Sequence, residues 1–251
     1  MAEPAIEKHQ ESEVSVLQSS LRSLAPQINA AMPRAVLCAL APDDSGVLPP
    51  QTKRVHFIRH GEGDHNVIQR EWRASASWDG VSEPYTIDND PSFTYLDPGL
   101  TPKGKSQAEA LQPRASRLST ELLVTSPMRR AMQTALIAFS SASCSPAVIA
   151  TDLCHEVGGK HTCDKRRAIS ELRAEFPGVD YSEILEEEDP LWLDGLTRES
   201  LENLSTRAAR FAEWLMKRPE KEIAVASHSA FLLAIFNAVF TTDDEETRRW
   251  F

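Results

Sequence analysis

At 251 residues, 41% hydrophobic and 25% charged, the chain has the size and composition of a soluble globular protein with ample core. Its formal net charge of −10 excludes a general binder of nucleic acid or of anionic membranes, which need a basic face, but leaves room for a local cationic pocket. Cys38, Cys144, Cys154 and Cys163 form no CxxC pair, which indicates reduced thiols and a cytoplasmic or nuclear setting.

Glu3, Glu7, Glu11 and Glu13 argue against a signal or transit peptide at the start of the chain. A weak amphipathic pattern (Val14, Leu17, Leu21, Leu24) gives way to a Pro- and Ala-rich stretch. Residues 1–52 are therefore expected to be an N-terminal extension, partly helical or disordered, with a linker ending at Pro49-Pro50. The pattern does not fix where it packs.

From Lys53 the chain reads strand, loop, helix, repeatedly, and residues 53–251 are expected to form the main domain. RVHFI (54–58) is a short strand. The segment 67–100, with Trp72, Trp78, Tyr85, Phe93 and Tyr95 among polar residues, is long for a connection and has the length of a lid, binding loop or disordered insertion. Thr101-Pro102 starts a helix that should stop or bend near Pro113. ELLVT (121–125) is a second strand, closed by Ser126-Pro127 as the cap of the helix MRRAMQTALIAF. AVIATDL (147–153) is a third strand, and the acidic run EILEEEDP (183–190) a solvated loop. Residues 199–218 place Leu201, Leu204, Ala208, Phe211 and Leu215 on one face of a helix. EIAVAS (222–227) is a fourth strand running into an apolar helix at 229–240, which at roughly 16 Å is too short to cross a bilayer. Continuous apolar strands alternating with helices indicate an α/β fold, three layers with a mostly parallel central sheet covered on both faces.

The carboxyl ends of parallel strands share one edge, and ligands bind there. RVHFI ends on Arg59-His60-Gly61, ELLVT on SPMRR and EIAVAS on His228-Ser229, while AVIATDL leads into Cys154-His155-Glu156. Two histidines, at least two arginines and a glutamate therefore converge. That set suits phosphoryl transfer: a neutral imidazole attacks phosphorus, guanidinium groups hold the phosphoryl oxygens, and a carboxylic acid protonates the leaving group. Taken singly, each residue has a structural explanation; their joint placement at strand ends favours the chemical one.

Two metal readings compete. HFIRH has a His-x3-His spacing, but on a strand His56 and His60 lie about 13 Å apart at ~3.3 Å per residue, too far to share an ion. His56 is then a satisfied, buried strand residue. CHEVGGKHTCD (154–164) gathers two Cys and two His, but without the close Cys pairs of structural zinc sites. No metal and no cofactor is expected.

Together these residues resemble the histidine phosphatase superfamily, which includes the cofactor-dependent phosphoglycerate mutases. Its Arg-His-Gly signature is matched by Arg59, His60 and Gly61, and its continuation by Glu62 and Asn66. SPMRRAMQTA resembles the family's Ser-Pro-Leu-x-Arg-Ala-x-Gln-Thr-Ala segment and puts the second arginine at Arg130. LTPKGKSQA (100–108) resembles the opening of the family's first helix, and GKHTCDKRR (159–167) a stretch of eukaryotic phosphoglycerate mutase-like members. The resemblance implies His60 as nucleophile, Arg59, Arg130 and His228 as phosphoryl ligands and Glu156 as general acid and base. It puts His65, Asn66, Lys165, Arg166 and Ser229 on the substrate side. It also implies a phosphatase acting on a small phosphorylated metabolite or another phosphomonoester, with a phosphomutase or a non-catalytic phosphate-binding scaffold as alternatives. The stretch after the acid differs from that of mutases proper, which favours the phosphatase. Family members commonly continue past the Arg-Arg-Trp segment into one more strand, so the domain ending at Phe251 is expected to lack its last strand. Oligomeric state is not fixed by the sequence.

Overall fold

The computed structural model describes residues 3–31, 46–141, 146–242 and 244–249; Cys38 and Cys144 lie outside the described residues. In chain order the principal elements are α1 (Glu3–Ala31), β1 (Arg54–Arg59), α2 (Asp64–Ala74), α3 (Pro102–Glu109), α4 (Gln112–Ala115), β2 (Leu122–Thr125), α5 (Arg129–Ala138), β3 (Ala147–Ala150), α6 (Ile169–Glu175), α7 (Leu201–Lys217), β4 (Glu222–Ser227) and α8 (Ser229–Ala234). By their contacts, residues 53–199 and 220–228 form one compact unit, and residues 1–52, 200–219 and 229–251 another. Among the described residues, no helix is long and apolar enough to cross a membrane.

The first unit is built on a four-stranded sheet, all parallel, in the order β1-β4-β2-β3. This is the expected α/β class. Every residue of the two central strands β2 and β4 is buried, which is why they read as continuous runs without polar alternation. On them packs α5, with Ala135, Ala138 and Phe139 against Leu123, Ala224 and Ala226. A second cluster joins Met132 and Ala150 to Ile169, Leu172 and Tyr181. The third strand is shorter than AVIATDL suggests: it stops at Ala150, and Asp152–Cys154 form a 3₁₀ turn after Thr151.

Register aligns the strand ends. Arg59 pairs with Ser227, and Thr125 with both Ala226 and Ala150. One residue further on, the His60, Ser126 and Thr151 N–H groups donate to the carbonyls of Ser227, Ala226 and Thr125 at 3.0, 3.0 and 3.1 Å. The side chains that follow β1, β2, β3 and β4 thus start from one edge. His56 is satisfied by Glu222, whose carboxylate lies 3.2 Å from its Nε2 and 3.3 Å from Arg54 Nη1.

The segment 67–100 is not the unstructured connection its length suggests. It begins inside α2, whose start is fixed reciprocally: the Gly63 N–H donates to Asn66 Oδ1 and the Asn66 N–H to the Gly63 carbonyl, both at 2.9 Å. Beyond α2, the indole N–H groups of Trp72 and Trp78 both donate to the Ser82 carbonyl, at 3.1 and 3.0 Å. Buried Asp90 accepts from the Thr94 and Tyr95 N–H groups and, at 2.6 Å, from the Thr162 hydroxyl.

The acidic run 183–190 is exposed over Glu186–Glu188, but its backbone is gathered around one cation. Arg166, expected on the substrate side, is fully buried (0% exposed), and its donors go to the protein. Its Nε and Nη2 face the Asp152 carboxylate at 3.0 and 3.4 Å, and its guanidinium donates to the carbonyls of Glu186, Glu187 and Glu188 at 2.7–2.8 Å. The family resemblance put Arg166 on the substrate side; the fold uses this arginine to close a loop.

In the second unit α1 packs on α7 and on a single π-helical turn, Ile235–Val239, that continues α8. Leu21 (1% exposed) and Ile28 are buried among its described side chains, and Arg22 Nε donates to Asn237 Oδ1 at 3.1 Å. The apolar face of α7 holds Leu204, Ala208, Phe211 and Leu215, and Phe211 meets Phe231 edge-on at 5.5 Å.

Two stability predictions follow from these contacts. A Cβ on Gly61 would lie 2.5 Å from the Gly104 carbonyl, and one on Gly104 would overlap the Glu62 carbonyl. Gly104→Ala is expected to cost about 1–3 kcal/mol in denaturant unfolding; an unchanged midpoint would contradict this close approach. Arg166→Ala is expected to cost about 3–5 kcal/mol by the same measurement, because it strands a carboxylate and several buried carbonyls. Arg166→Lys should recover little, since an ammonium cannot reproduce the planar fork.

Candidate active site

Three strand ends supply the centre. His60 follows β1, is 6% exposed, and its Nδ1 lies 2.7 Å from the Gly61 carbonyl. A carbonyl only accepts, so Nδ1 carries the proton and Nε2 keeps its lone pair. Gly61 is tied to α5 by a relay in which its N–H donates to Thr134 Oγ1 (3.0 Å) and that hydroxyl donates to the Arg130 carbonyl (2.7 Å). His228 follows β4 and His65 lies on α2; their ring centroids are 5.1 and 5.5 Å from that of His60.

The imidazoles of His60, His65 and His228 are all held well below the ordinary histidine value of 6.5. Burial is the largest cause in each case, and the nearby positive charge of Arg130 the next. The cluster is therefore neutral in its resting state.

Ser126 was expected to cap α5, but its hydroxyl has another use. It lies 2.8 Å from His228 Nε2, while the Met128 N–H reaches it only at 3.4 Å. The Arg129 N–H at the helix start is satisfied by Asp97 Oδ1 at 2.9 Å. Burial raises the Asp97 carboxyl to about 6, opposed by Arg130 and by the N–H groups of Arg129 and Arg167.

Arg130 is 1% exposed. Its Nη1 donates to the Cys163 carbonyl (2.8 Å) and its Nη2 to Asp164 Oδ1 (3.0 Å), while Nε has no partner among the described residues. Glu156 follows the turn after β3 and accepts the Val157 N–H at 3.0 Å. Burial first, and the negative charge of Asp164 second, raise its carboxyl above the ordinary 4.5. Arg59, exposed at the end of β1, lies within electrostatic range of Glu156 and Arg130.

A cleft of about 480 Å³ opens beside β1, lined by Arg59, His60, Gly61, Asn66, Gln107 and Thr134 among others. Of the phosphoryl-site residues, Arg59 and His60 line it directly, whereas Arg130, Glu156 and His228 are not among its lining residues. Of the residues expected on the substrate side, His65 and Asn66 belong to this neighbourhood. Because Asn66 Oδ1 accepts from Gly63, its NH2 is the donor side. Lys165 instead stands over the rings of Phe93 and Trp192, at 5.4 and 5.9 Å. Ser229 is buried at the start of α8, and Arg166 is withdrawn into its own loop.

The Cys- and His-rich stretch 154–164 is dispersed over separate partners. Cys154 Sγ faces the Thr151 carbonyl, His155 Nδ1 the Glu156 carbonyl at 2.9 Å, and His161 Nδ1 accepts from Arg198 Nη1 at 2.9 Å. Asp164 was not singled out in the sequence, although GKHTCDKRR contains it, and His161 was weighed only as one of the two histidines of a zinc reading. The signal of Asp164 is spatial: it meets Arg130, thirty-four residues earlier.

A sequence model of the histidine phosphatase superfamily (branch 1) matches residues 93–251, a span that holds Arg130, Glu156 and His228 but not β1. A phosphoglycerate mutase-like protein of Arabidopsis thaliana is 35% identical over 216 residues, covering 74% of each chain. A Schizosaccharomyces pombe protein named as a probable phosphatase is 29% identical over 195 residues, covering 70% of this chain and 74% of its own. Among solved structures, a mycobacterial glucosyl-3-phosphoglycerate phosphatase with VO3 superposes with a TM-score of 0.43 at 21% identity, over 73% of this chain and 80% of that one. By the family match and the Arabidopsis relative, the chain belongs to the histidine phosphatase superfamily, branch 1.

Proposed function

We propose that this protein hydrolyses a phosphomonoester of a small metabolite through a phosphohistidine on His60. The observation that carries the reading is the His60 ring. Its Nδ1 proton is fixed on the Gly61 carbonyl, so the Nε2 lone pair stands ready beside the cations of Arg59 and Arg130.

In the first step Nε2 attacks phosphorus and the ester P–O bond breaks. The departing alkoxide takes the proton of Glu156. Arg59, Arg130 and His228 hold the phosphoryl oxygens, with Asn66 NH2 and His65 beside them. In the second step the Glu156 carboxylate takes a proton from water, the hydroxide attacks phosphorus and the N–P bond breaks. Phosphate leaves, and His60 is again neutral.

The electrostatic environment suits both roles. A nucleophilic histidine must be neutral while the acid is protonated, yet ordinary values of 6.5 and 4.5 run the other way. Burial lowers the first and raises the second, so the two required states overlap. The name of the Arabidopsis relative favours one rival, a mutase in which the phosphohistidine passes its group to a second hydroxyl.

His60→Ala is expected to lower turnover of an aryl phosphate by more than about 10³-fold and to abolish an acid-labile phosphoenzyme seen in the unaltered protein. Retained turnover would sink the assignment, and transfer to an alcohol exceeding hydrolysis would favour the mutase. For an alkyl phosphate, kcat/KM should be bell-shaped in pH. The acid limb, where His60 protonates, should lie below pH 6.5, and the alkaline limb, where Glu156 ionises, above pH 4.5. A rate still climbing above about pH 9 would remove Glu156 as the acid.

A further inference from the structure

Asp164 lies at the end of a 3₁₀ turn, Thr162–Asp164, anchored from the far side of the unit. The Thr162 N–H donates to the Tyr85 carbonyl at 2.8 Å, and the Thr162 hydroxyl to Asp90 at 2.6 Å. Asp164 is 6% exposed, and its carboxylate engages Arg130 Nη2 through Oδ1 at 3.0 Å. Through Oδ2 it faces Arg198 Nη1 and His161 Nδ1, each at 3.6 Å. His161 Nδ1 already accepts from Arg198, so that face of Asp164 is turned to Arg198.

We propose that Asp164 is a positioning residue of the phosphoryl site: it aims the Arg130 guanidinium and sets a fixed negative charge against the cations of Arg130 and Arg198. Granted the His60 phosphohistidine route on which this rests, one carboxylate serves both cation and acid. A guanidinium has five N–H donors in a rigid plane. With Nη1 on the Cys163 carbonyl and Nη2 on Asp164, the orientation of that plane is set before any ligand arrives. The buried Nε, unpartnered among the described residues, remains for an anion.

The second role follows from the charges around the acid. Glu156 lies within electrostatic range of Arg130, Arg198 and Arg59, and of Asp164 and Cys163. Burial keeps the Cys163 thiol neutral, and the Tyr85 phenol near Asp164 is likewise held neutral. Asp164 itself is held far below the usual carboxylate range by the charges of Arg130 and Arg198, which outweigh its burial. It therefore puts a fixed negative charge beside Arg130 and Arg198. Without it those cations would pull Glu156 toward its ionised form, which cannot protonate a leaving group.

The test uses Asp164→Asn, which keeps an oxygen for Arg130 but removes the charge, and Asp164→Ala, which removes both. With glycerol 2-phosphate, whose alkoxide needs protonation, D164N is expected to move the alkaline limb of kcat/KM to lower pH by about one unit. With p-nitrophenyl phosphate, whose leaving group does not, that limb should move less. D164A should in addition lose about 10²-fold on both substrates through misplacement of Arg130. Independently of turnover, the Glu156 carboxyl followed by carbon-13 NMR should titrate at lower pH in D164N than in the unaltered protein. A Glu156 titration unmoved by D164N overturns the proposal, even where His60-dependent hydrolysis stands. A shifted titration in a protein whose turnover survives His60→Ala overturns the phosphohistidine route and leaves the charge role of Asp164 intact.

Discussion

A guanidinium that is 1% exposed has to be solvated by the protein itself, and that requirement organises the site around Arg130. One carbonyl and one carboxylate come to it from the 162–164 turn. That turn is held in turn by Tyr85 and Asp90, from a segment that precedes α3. The backbone carbonyl of the same arginine receives Thr134, whose oxygen fixes the Gly61 N–H beside His60. Charge compensation and placement of the imidazole thus belong to a single connected network.

The sheet provides the other half of the geometry. Parallel pairing with Arg59 opposite Ser227 and Thr125 opposite Ala226 brings His60, Ser126 and His228 to one edge with no freedom to slide. A one-residue slip would turn each side chain to the opposite face. Because β2 and β4 are buried on both faces, such a slip would also force every apolar side chain into packing shaped for another, so the core enforces the placement of the polar ones.

How much of this was legible in the sequence depends on the range of the interaction. The four strands, the start of α3 at Thr101 and the arrival of Arg59, His60, Glu156 and His228 at one edge follow from local patterning and the parallel-sheet rule. Helix α2 was hidden inside a polar stretch, since its start depends on reciprocal Gly63–Asn66 bonds and not on an apolar stripe. The roles of Ser126, Asp97 and Arg166 were also illegible. Each has a near neighbour that would explain it, but the fold gives it a distant one: His228, the Arg129 N–H and the carbonyls of 186–188. Asp164 had no local signal at all, because an aspartate in a polar turn is unremarked until an arginine from another helix meets it.

The placement of Lys165 between Phe93 and Trp192 has a bearing on selectivity. An ammonium over two aromatic faces already has a favourable setting, on the order of 0.5–2 kcal/mol for such contacts. For this lysine to meet a phosphorylated ligand, the ligand must offer more than the rings do. The aromatic pair thereby sets a lower bound on what an anion must contribute before the ammonium leaves the rings.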